Sequence, residues 1–267
     1  MVITIVLCSF STIVYAGAWT RRSGEILLVS NFSYYFTDRR FDNSGNIQPL
    51  ADYRKYEFNP YIEYGLYDDV TIGANLFLQR VSQENSVSGN WNSNWGIGDS
   101  EFFIRKKIWE KDGLLFSVEP MIKIHSPENR ANQPIIGSRD FDTGITLSGG
   151  YSFGYAGLNH FVNIDANYRH RLGEANDQIN LYSTLGLSIN KKTMILTQMF
   201  NSFRLSDNKN SQFTNSSGDD YDLTKLQISA MYEVKDNMSL QLGAFSHVSG
   251  RNTGGGDGVI FAVHKVF

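Results

Sequence analysis

A two-residue alternation of apolar and polar side chains recurs along this chain, and it constrains the fold more than any other feature. In the clearest segment, residues 54–65, Phe58 and Ile62 share one face of an extended chain and Glu57 and Glu63 share the other. The same alternation recurs at residues 70–79, 116–125, 162–169, 178–187 and 226–233. Weaker candidates cover residues 25–36, 98–109, 143–153, 193–203, 238–247 and 259–267. The pattern predicts an all-β fold of about twelve strands.

The connections between these strands alternate in length. Tight turns are expected near residues 67–69, 110–113, 154–157, 190–192 and 235–237. Long polar segments are expected at 37–52, 82–96, 126–142 and 205–220, with shorter ones at 172–176 and 249–257. Short turns on one side and long loops on the other are typical of outer-membrane barrels, whose short turns are periplasmic. We therefore predict one antiparallel transmembrane β-barrel over residues 17–267, embedded in a bacterial outer membrane with its lipid bilayer and lipopolysaccharide.

Both ends of the sequence agree with this location. Residues 2–14 are apolar and uncharged, and small or aliphatic residues at Val14 and Ala16 predict a secretory signal over residues 1–16 that is cut before Gly17. The final candidate strand closes on an aromatic residue, Phe267. A terminal aromatic strand is what barrel-assembly machinery recognises, so that machinery is an expected partner through Phe267.

Composition excludes several other classes of protein. The net charge is only -3 and no basic cluster is interleaved with aromatics, so nucleic acid is not an expected partner. The one cysteine, Cys8, lies in the predicted signal, which leaves no disulfide, cysteine zinc site or thiol nucleophile in the mature chain. The histidines lack metal-ligand spacing, and no metal or cofactor is expected. Mean hydropathy is -0.29, which a barrel tolerates because only alternate residues meet lipid.

The polar faces carry charges of both signs, which we expect to line the lumen. The candidate pathway residues are Asp99, Glu101, Arg105, Lys107, Glu119, Lys123, Asp165, Arg169 and Arg171. One interpretation is a water-filled pathway with a charged constriction. The other is a lumen plugged by salt bridges, in which opposite charges pair to limit the cost of desolvation. A barrel of about twelve strands has intermediate width, so size does not decide between them.

Aromatic residues near strand ends predict two girdles at the membrane interfaces. The girdle beside the short turns would contain Tyr64, Tyr67, Trp109, Phe153 and Tyr232, and the girdle beside the long loops would contain Tyr53, Trp95, Tyr168, Phe203 and Tyr221. No aromatic ladder is expected inside the lumen. Pro60 and Pro120 fall within strands, where a missing N–H predicts a local bulge at each.

One short motif raises an enzymatic alternative. His247 and Ser249 are two residues apart near the outer end of a late strand, as in outer-membrane lipid hydrolases in which histidine activates serine. The strand alternation points His247 inward, away from lipid, and the following strand offers no acidic or asparagine side chain to orient it. We therefore expect a protein that is not an enzyme, with His247 hydrogen-bonded in the lumen.

Several short motifs, taken in order, resemble a known family. They are Gly17-Ala18-Trp19-Thr20 with Gly24, Gly98-Asp99, Tyr168-Arg169-His170-Arg171, Asn176-Asp177-Gln178, Thr184-Leu185-Gly186-Leu187, Gly250-Arg251-Asn252 and terminal Phe267. Together they resemble proteobacterial outer-membrane β-barrels labelled as transporters or as meta-pathway phenol-degradation proteins. The resemblance implies a monomeric barrel and a channel for small organic solutes. It implies no catalytic residues, and its polar motif positions are Asp99, Arg169, Arg171 and Asp177.

Two functional hypotheses follow besides the hydrolase. The first is passive passage of small solutes through a charged lumen. The second is a structural or surface-adhesion barrel that does not conduct and acts through its outer loops. The sequence does not name the solute.

Overall fold

The computed structural model describes residues 17–128, 132–138, 140–173, 175–206 and 220–267, and in these the chain is β-structure joined by turns and loops. The predicted signal, residues 1–16, lies outside the described residues. The strands are β1 (Ile26–Phe41), β2 (Ile47–Tyr67), β3 (Val70–Asn75), β4 (Leu78–Glu84), β5 (Trp91–Ile97), β6 (Ser100–Lys111), β7 (Leu114–Ile124), β8 (Asp142–Tyr155), β9 (Leu158–Arg171), β10 (Gln178–Ser188), β11 (Thr193–Arg204), β12 (Asp222–Lys235), β13 (Met238–Arg251), β14 (Thr253–Gly254) and β15 (Asp257–Val266). No helix in these ranges is long and apolar enough to cross a bilayer.

These strands close into an antiparallel barrel of twelve wall positions. Strands β3 and β4 together form one position, β5 and β6 form another, and β14 adds a short pairing to the end of β1. The barrel closes because β1 pairs with β2 on one side and with β15 on the other. Ile26 and Phe267 exchange backbone hydrogen bonds of 2.9 and 3.2 Å at this seam. The predicted antiparallel barrel of about twelve strands is confirmed.

The alternation of side chains along each strand is also confirmed, with apolar residues outside. Ile62, Ile164 and Ile228 expose 37%, 56% and 61% of their surface on the outer face of the barrel, while Glu63 and Asn163 are buried inside. A soluble protein would place these classes the other way round. An apolar outer surface around a polar interior is the arrangement that a lipid environment requires of a barrel.

The barrel has two unlike ends. The turn end carries the tight connections, among them 68–69, 112–113, 156–157 and 236–237, together with residues 17–25 and Phe267. The loop end carries the longer connections, including residues 125–141, while most of the predicted loop 205–220 lies outside the described residues. The turns predicted from the sequence at 67–69, 110–113, 154–157 and 235–237 therefore lie on the same side of the barrel.

Two of the predicted long loops are largely strand instead. Strand β1 continues to Phe41 and β2 begins at Ile47, so only residues 42–46 connect them rather than 37–52. Strands β4 and β5 form a hairpin around residues 85–90 within the predicted loop 82–96. These extensions have polar side chains on both faces, so the two-residue alternation ends before the backbone pairing does.

The bulges predicted at two prolines are wrong. The carbonyl of Pro60 accepts from the N–H of Leu76, so its ring nitrogen faces the break between β3 and β4, where the ladder is already interrupted. Pro120 stays in register opposite Ile145, without a shift on either side. A strand residue directs its N–H toward only one of the two adjacent strands, so each proline removes a single hydrogen bond from the ladder. Losing one hydrogen bond does not require an extra residue in the strand, and no bulge forms.

Candidate functional site

The lumen encloses a cavity of about 830 Å³ whose lining comes from strands all around the barrel. Its charged lining residues are Lys55, Glu57, Glu101, Arg105, Glu119, Asp165, Arg169 and Lys225. Their side chains belong to inward positions of the alternating strands, which is why period two brings them together. The cavity is the candidate functional site, and its two sides differ in chemistry.

At the turn end, the charged side chains form one connected network around Glu63. This carboxylate is fully buried and accepts from Arg21 Nε at 2.5 Å, from Arg105 Nη1 at 2.6 Å and from the Tyr61 hydroxyl at 2.6 Å. Arg105 also reaches Glu119 at 2.7 Å. A buried carboxylate with two guanidiniums and a hydroxyl has its lone pairs satisfied, which is the condition for burying charge.

A second charged cluster lies nearer the loop end. Asp142 is 1% exposed and stands 2.7 Å from Lys123 Nζ, 3.7 Å from an Arg169 nitrogen and 3.8 Å from Arg171 Nε. Arg169 also pairs with Glu101 at 2.7 Å. We call the inward face of β6–β9, with Glu63, the charged half of the lumen.

The predicted pathway residues fall into three places. Glu101, Arg105, Glu119, Asp165 and Arg169 line the cavity. Three more do not line the cavity but lie around Asp142, next to the loop that follows β7: Asp99, Lys123 and Arg171. Lys107 pairs with Glu110 at 2.6 Å near the turn end and is not among the cavity lining. The sequence reasoning missed Asp142, whose one signal is its place at the start of β8.

The opposite side of the lumen is aromatic, which corrects the expectation that no aromatic ladder lies inside. The aromatic wall consists of Tyr35, Tyr53, Tyr182, Phe200 and Phe245, all of which line the cavity. Tyr35 stacks on Phe245 with ring centroids 6.2 Å apart and 4° between planes, and Tyr182 lies 5.6 Å from Phe200. Two residues assigned to the outer girdle, Tyr53 and Tyr221, therefore face the lumen. Strand β1 carries aromatics on both faces, so its alternation did not reveal which face was inside.

A segment that precedes β1 crosses the lumen at the turn end. The Ala18 N–H donates to Asn163 on β9, while the Arg21 N–H donates to Thr71 on β3. The carbonyl of Trp19 accepts from Arg105 at 3.1 Å. Ala18 and Arg21 are 0% and 3% exposed. Since β1 and β9 stand on opposite sides of the barrel, residues 17–22, here called the bridging segment, span the turn-end mouth.

The wall is shaped to receive this segment. A Cβ on Gly150 would lie 2.7 Å from the ring of Trp19, so the close approach of the indole to β8 requires glycine there. Trp19 also meets Phe161 edge to face at 5.7 Å. The bridging segment thus packs directly on the glycine of a wall strand, and this close contact narrows the lumen at the turn end.

The loop after β7 narrows the opposite end. Pro134 and Ile135 line the cavity, and Ile136 is 2% exposed. Asp99 holds the loop by accepting from the N–H groups of Ser126 and Ser138. The sequence could not say whether an outer loop folds inward, and the described residues of this loop do so.

The geometry around His247 does not support a nucleophile pair. His247 Nδ1 lies 2.8 Å from the carbonyl of Gly254 and 3.3 Å from the Tyr35 hydroxyl, with its ring on the lumen wall. The inward orientation predicted for His247 is confirmed. Ser249 lies opposite Thr224 and His247 lies opposite Lys225 on β12. The register of β13 against β12 shifts between His247 and Ser249. Within the described ranges, no group of three or more His, Cys, Asp or Glu side chains is placed to hold a metal ion.

Asp177, the remaining motif position, lies in the connection between β9 and β10 at the loop end. Its carboxylate accepts from the Tyr168 hydroxyl at 2.6 Å and from the Arg171 N–H at 3.0 Å, and it contacts His170. Partial burial would raise its pKa, but these hydrogen bonds outweigh that cost and hold the pKa of Asp177 at about 2. Asp177 thus fastens the rim of the barrel rather than lining the cavity.

This barrel has the fold of bacterial outer-membrane β-barrels. No protein-family model and no curated protein matches the sequence. Among solved structures, the COG4313 outer membrane channel from Pseudomonas putida F1 matches with a TM-score of 0.72 and 14% identity, over 96% of this chain and 100% of that one. The KdgM porin matches with a TM-score of 0.50 and 8% identity, over 90% and 99%. At these identities the likeness establishes the fold.

Proposed function

We propose that this protein is a passive channel for small organic solutes in the bacterial outer membrane. The observation that carries the proposal is the cavity of about 830 Å³ inside the barrel, lined by both charged and aromatic side chains. A lumen filled by side chains would leave no such space. Two structural neighbours, a COG4313 outer membrane channel and the KdgM porin, support a channel role. The finer resemblance to barrels of phenol degradation is consistent with an organic solute.

The orientation follows from the same proposal. The turn end, with its short connections, faces the periplasm, and the loop end faces the exterior. Phe267 closes β15 at the turn end, where the barrel-assembly machinery would meet it. The outer aromatic and aliphatic surface meets the bilayer and, in the outer leaflet, lipopolysaccharide.

The bridging segment favours a second candidate function. Because residues 17–22 span the turn-end mouth with buried contacts, the barrel would be closed unless the segment shifts or leaves a gap beside it. A barrel closed in this way would serve as a structural or surface-adhesion protein through its outer loops. The two candidates differ in whether ions cross.

Conductance in planar bilayers separates them. The refolded protein should give stepwise openings if it is a channel. Replacing both Arg169 and Arg171 by glutamine leaves Glu101 and Asp142 with less compensating charge, so selectivity should shift toward cations. Lys107→Gln is the matched control, because its side chain pairs with Glu110 near the turn end, and it should leave selectivity unchanged.

A variant of the bridging segment tests closure itself. Trp19→Ala removes the indole that packs on Gly150 and Phe161, so it should raise open probability or conductance. Silence of both the parent protein and this variant, with native folding verified by electrophoretic mobility with and without heating, would contradict the channel and favour the structural barrel.

A further inference from the structure

Lys225 is an unusual cation within the lumen. Its Nζ lies 4.1 Å from the ring centroid of Phe200 and 5.2 Å from that of Phe245. In the sheet it stands opposite Phe200 on β11 and His247 on β13. Aromatic faces attract an ammonium group, but they do not neutralise its charge.

The other cations that line the cavity each have a carboxylate partner. Lys55 pairs with Glu57 at 3.1 Å, Arg105 with Glu63 and Glu119, and Arg169 with Glu101. Among the described residues, no carboxylate oxygen lies within 4.0 Å of Lys225 Nζ, and no hydrogen-bond acceptor contacts it. The neighbouring Lys55 has its charge matched by Glu57, so Lys225 is left with positive charge directed at the cavity.

The rings around Lys225 are held in place. The Tyr35 hydroxyl accepts from the Gly256 N–H at 3.1 Å and contacts His247 Nδ1 at 3.3 Å. This fixes the ring of Tyr35 parallel to Phe245, next to Lys225. Rings that are positioned before a ligand arrives lose little conformational entropy on binding.

We propose that Lys225 and the aromatic wall form a binding site for small organic carboxylates with a flat apolar body. The carboxylate accepts charge-assisted hydrogen bonds from Lys225 Nζ, and the body lies against Phe200, Phe245 and Tyr35. This inference rests on the proposed channel function and names the solute class that the channel would favour. It also explains why, among the described residues, no carboxylate lies within 4.0 Å of this lysine, because an internal carboxylate in contact would compete with the solute.

Binding of benzoate to the refolded protein in detergent micelles tests the site without requiring conduction. Isothermal titration should show benzoate bound at least about tenfold more tightly than acetate, which lacks the ring, and than benzyl alcohol, which lacks the charge. Lys225→Gln should weaken benzoate about tenfold, and Lys225→Arg should retain most of the affinity. Lys107→Gln is the matched control and should bind as the parent protein does.

Phe245→Leu provides a second variant should Lys225→Gln fail to refold. It keeps the positive charge but removes a ring, so it should weaken benzoate while leaving acetate unchanged. Equal binding of benzoate, acetate and benzyl alcohol would overturn the site, as would equal benzoate affinity in the parent and Lys225→Gln.

The test also separates this inference from the proposed function. Benzoate binding that depends on Lys225, in a protein that never conducts, would sustain the site and contradict the channel. Clear conductance with no preference for benzoate would sustain the channel and overturn the site.

Discussion

The charged half lies on strands β6–β9, and the aromatic wall lies on β1, β2, β10, β11 and β13 across the same lumen. The inward side chains of these two regions are held by different forces. On the charged half, each guanidinium that lines the cavity contacts a carboxylate, and Glu63 alone joins Arg21 and Arg105. On the aromatic wall, rings stack on one another and Lys225 has no acidic partner among the described residues. We therefore expect the charged half to contribute more to the stability of the barrel. The aromatic wall leaves Lys225 without a direct ion pair, which is what the proposed solute site requires.

The largest effect should come from breaking the charged half at its centre. Glu63→Gln leaves Arg21 and Arg105 without their shared carboxylate in a fully buried position. Removing one partner of a buried ion pair costs about 3–5 kcal/mol, so the free energy of unfolding should fall by that amount. Urea unfolding of the refolded protein in lipid vesicles, followed by tryptophan fluorescence, measures it. A loss below about 1 kcal/mol would mean that the pairing of Glu63 with Arg21 and Arg105 does not stabilise the barrel.

An intermediate effect is expected on the aromatic wall. Phe245→Ala removes a ring that is only half-buried, because one side faces the cavity. The lost apolar burial should lower the free energy of unfolding by about 1–2 kcal/mol, measured in the same urea experiment. A loss as large as that of Glu63→Gln would show that the charged half and the aromatic wall contribute equally to stability, which would contradict the difference expected between them.

The smallest effect should come from an ion pair outside both regions. Glu110→Gln breaks the contact with Lys107, whose partners are 28% and 51% exposed. An exposed pair contributes only about 0–1 kcal/mol, so the free energy of unfolding should fall by less than about 1 kcal/mol. The salt dependence of unfolding sharpens the contrast, because added salt should screen this pair and leave the Glu63 network almost unaffected.

The sequence predicted the wall of the barrel much better than its contents. Residues such as Ile62 and Ile164 could be assigned outward because lipid on one face and water on the other impose a period of two. The partnership of Glu63 with Arg105 could not be read in this way, since it joins residues 42 apart through the register of three strands. Register depends on every turn and bulge between the strands, and no local pattern encodes it.

The aromatic wall escaped prediction for a different reason. Tyr34 and Tyr35 are adjacent on β1, so both faces of that strand look apolar, and only the closed barrel shows that Tyr35 points inward. The bridging segment has no periodic pattern. Its contacts with Asn163 and Thr71 join residues 145 and 50 apart in the sequence, and no local pattern indicates them. Non-periodic segments are where a physical reading of sequence is weakest.

The loop after β7, which narrows the loop end of the lumen, also covers the free margin of strand β5. Among the described strands, β5 pairs only with β4, and an uncovered strand margin is a template on which a second polypeptide can add. Here Glu128 accepts from the Ile97 N–H, Ser126 donates to the Ile97 carbonyl, and Asn94 donates to Pro134. The loop after β7 thus occupies the free margin of β5 at Ile97, and a mutation that reshapes the entrance would also expose that margin to pairing with another chain.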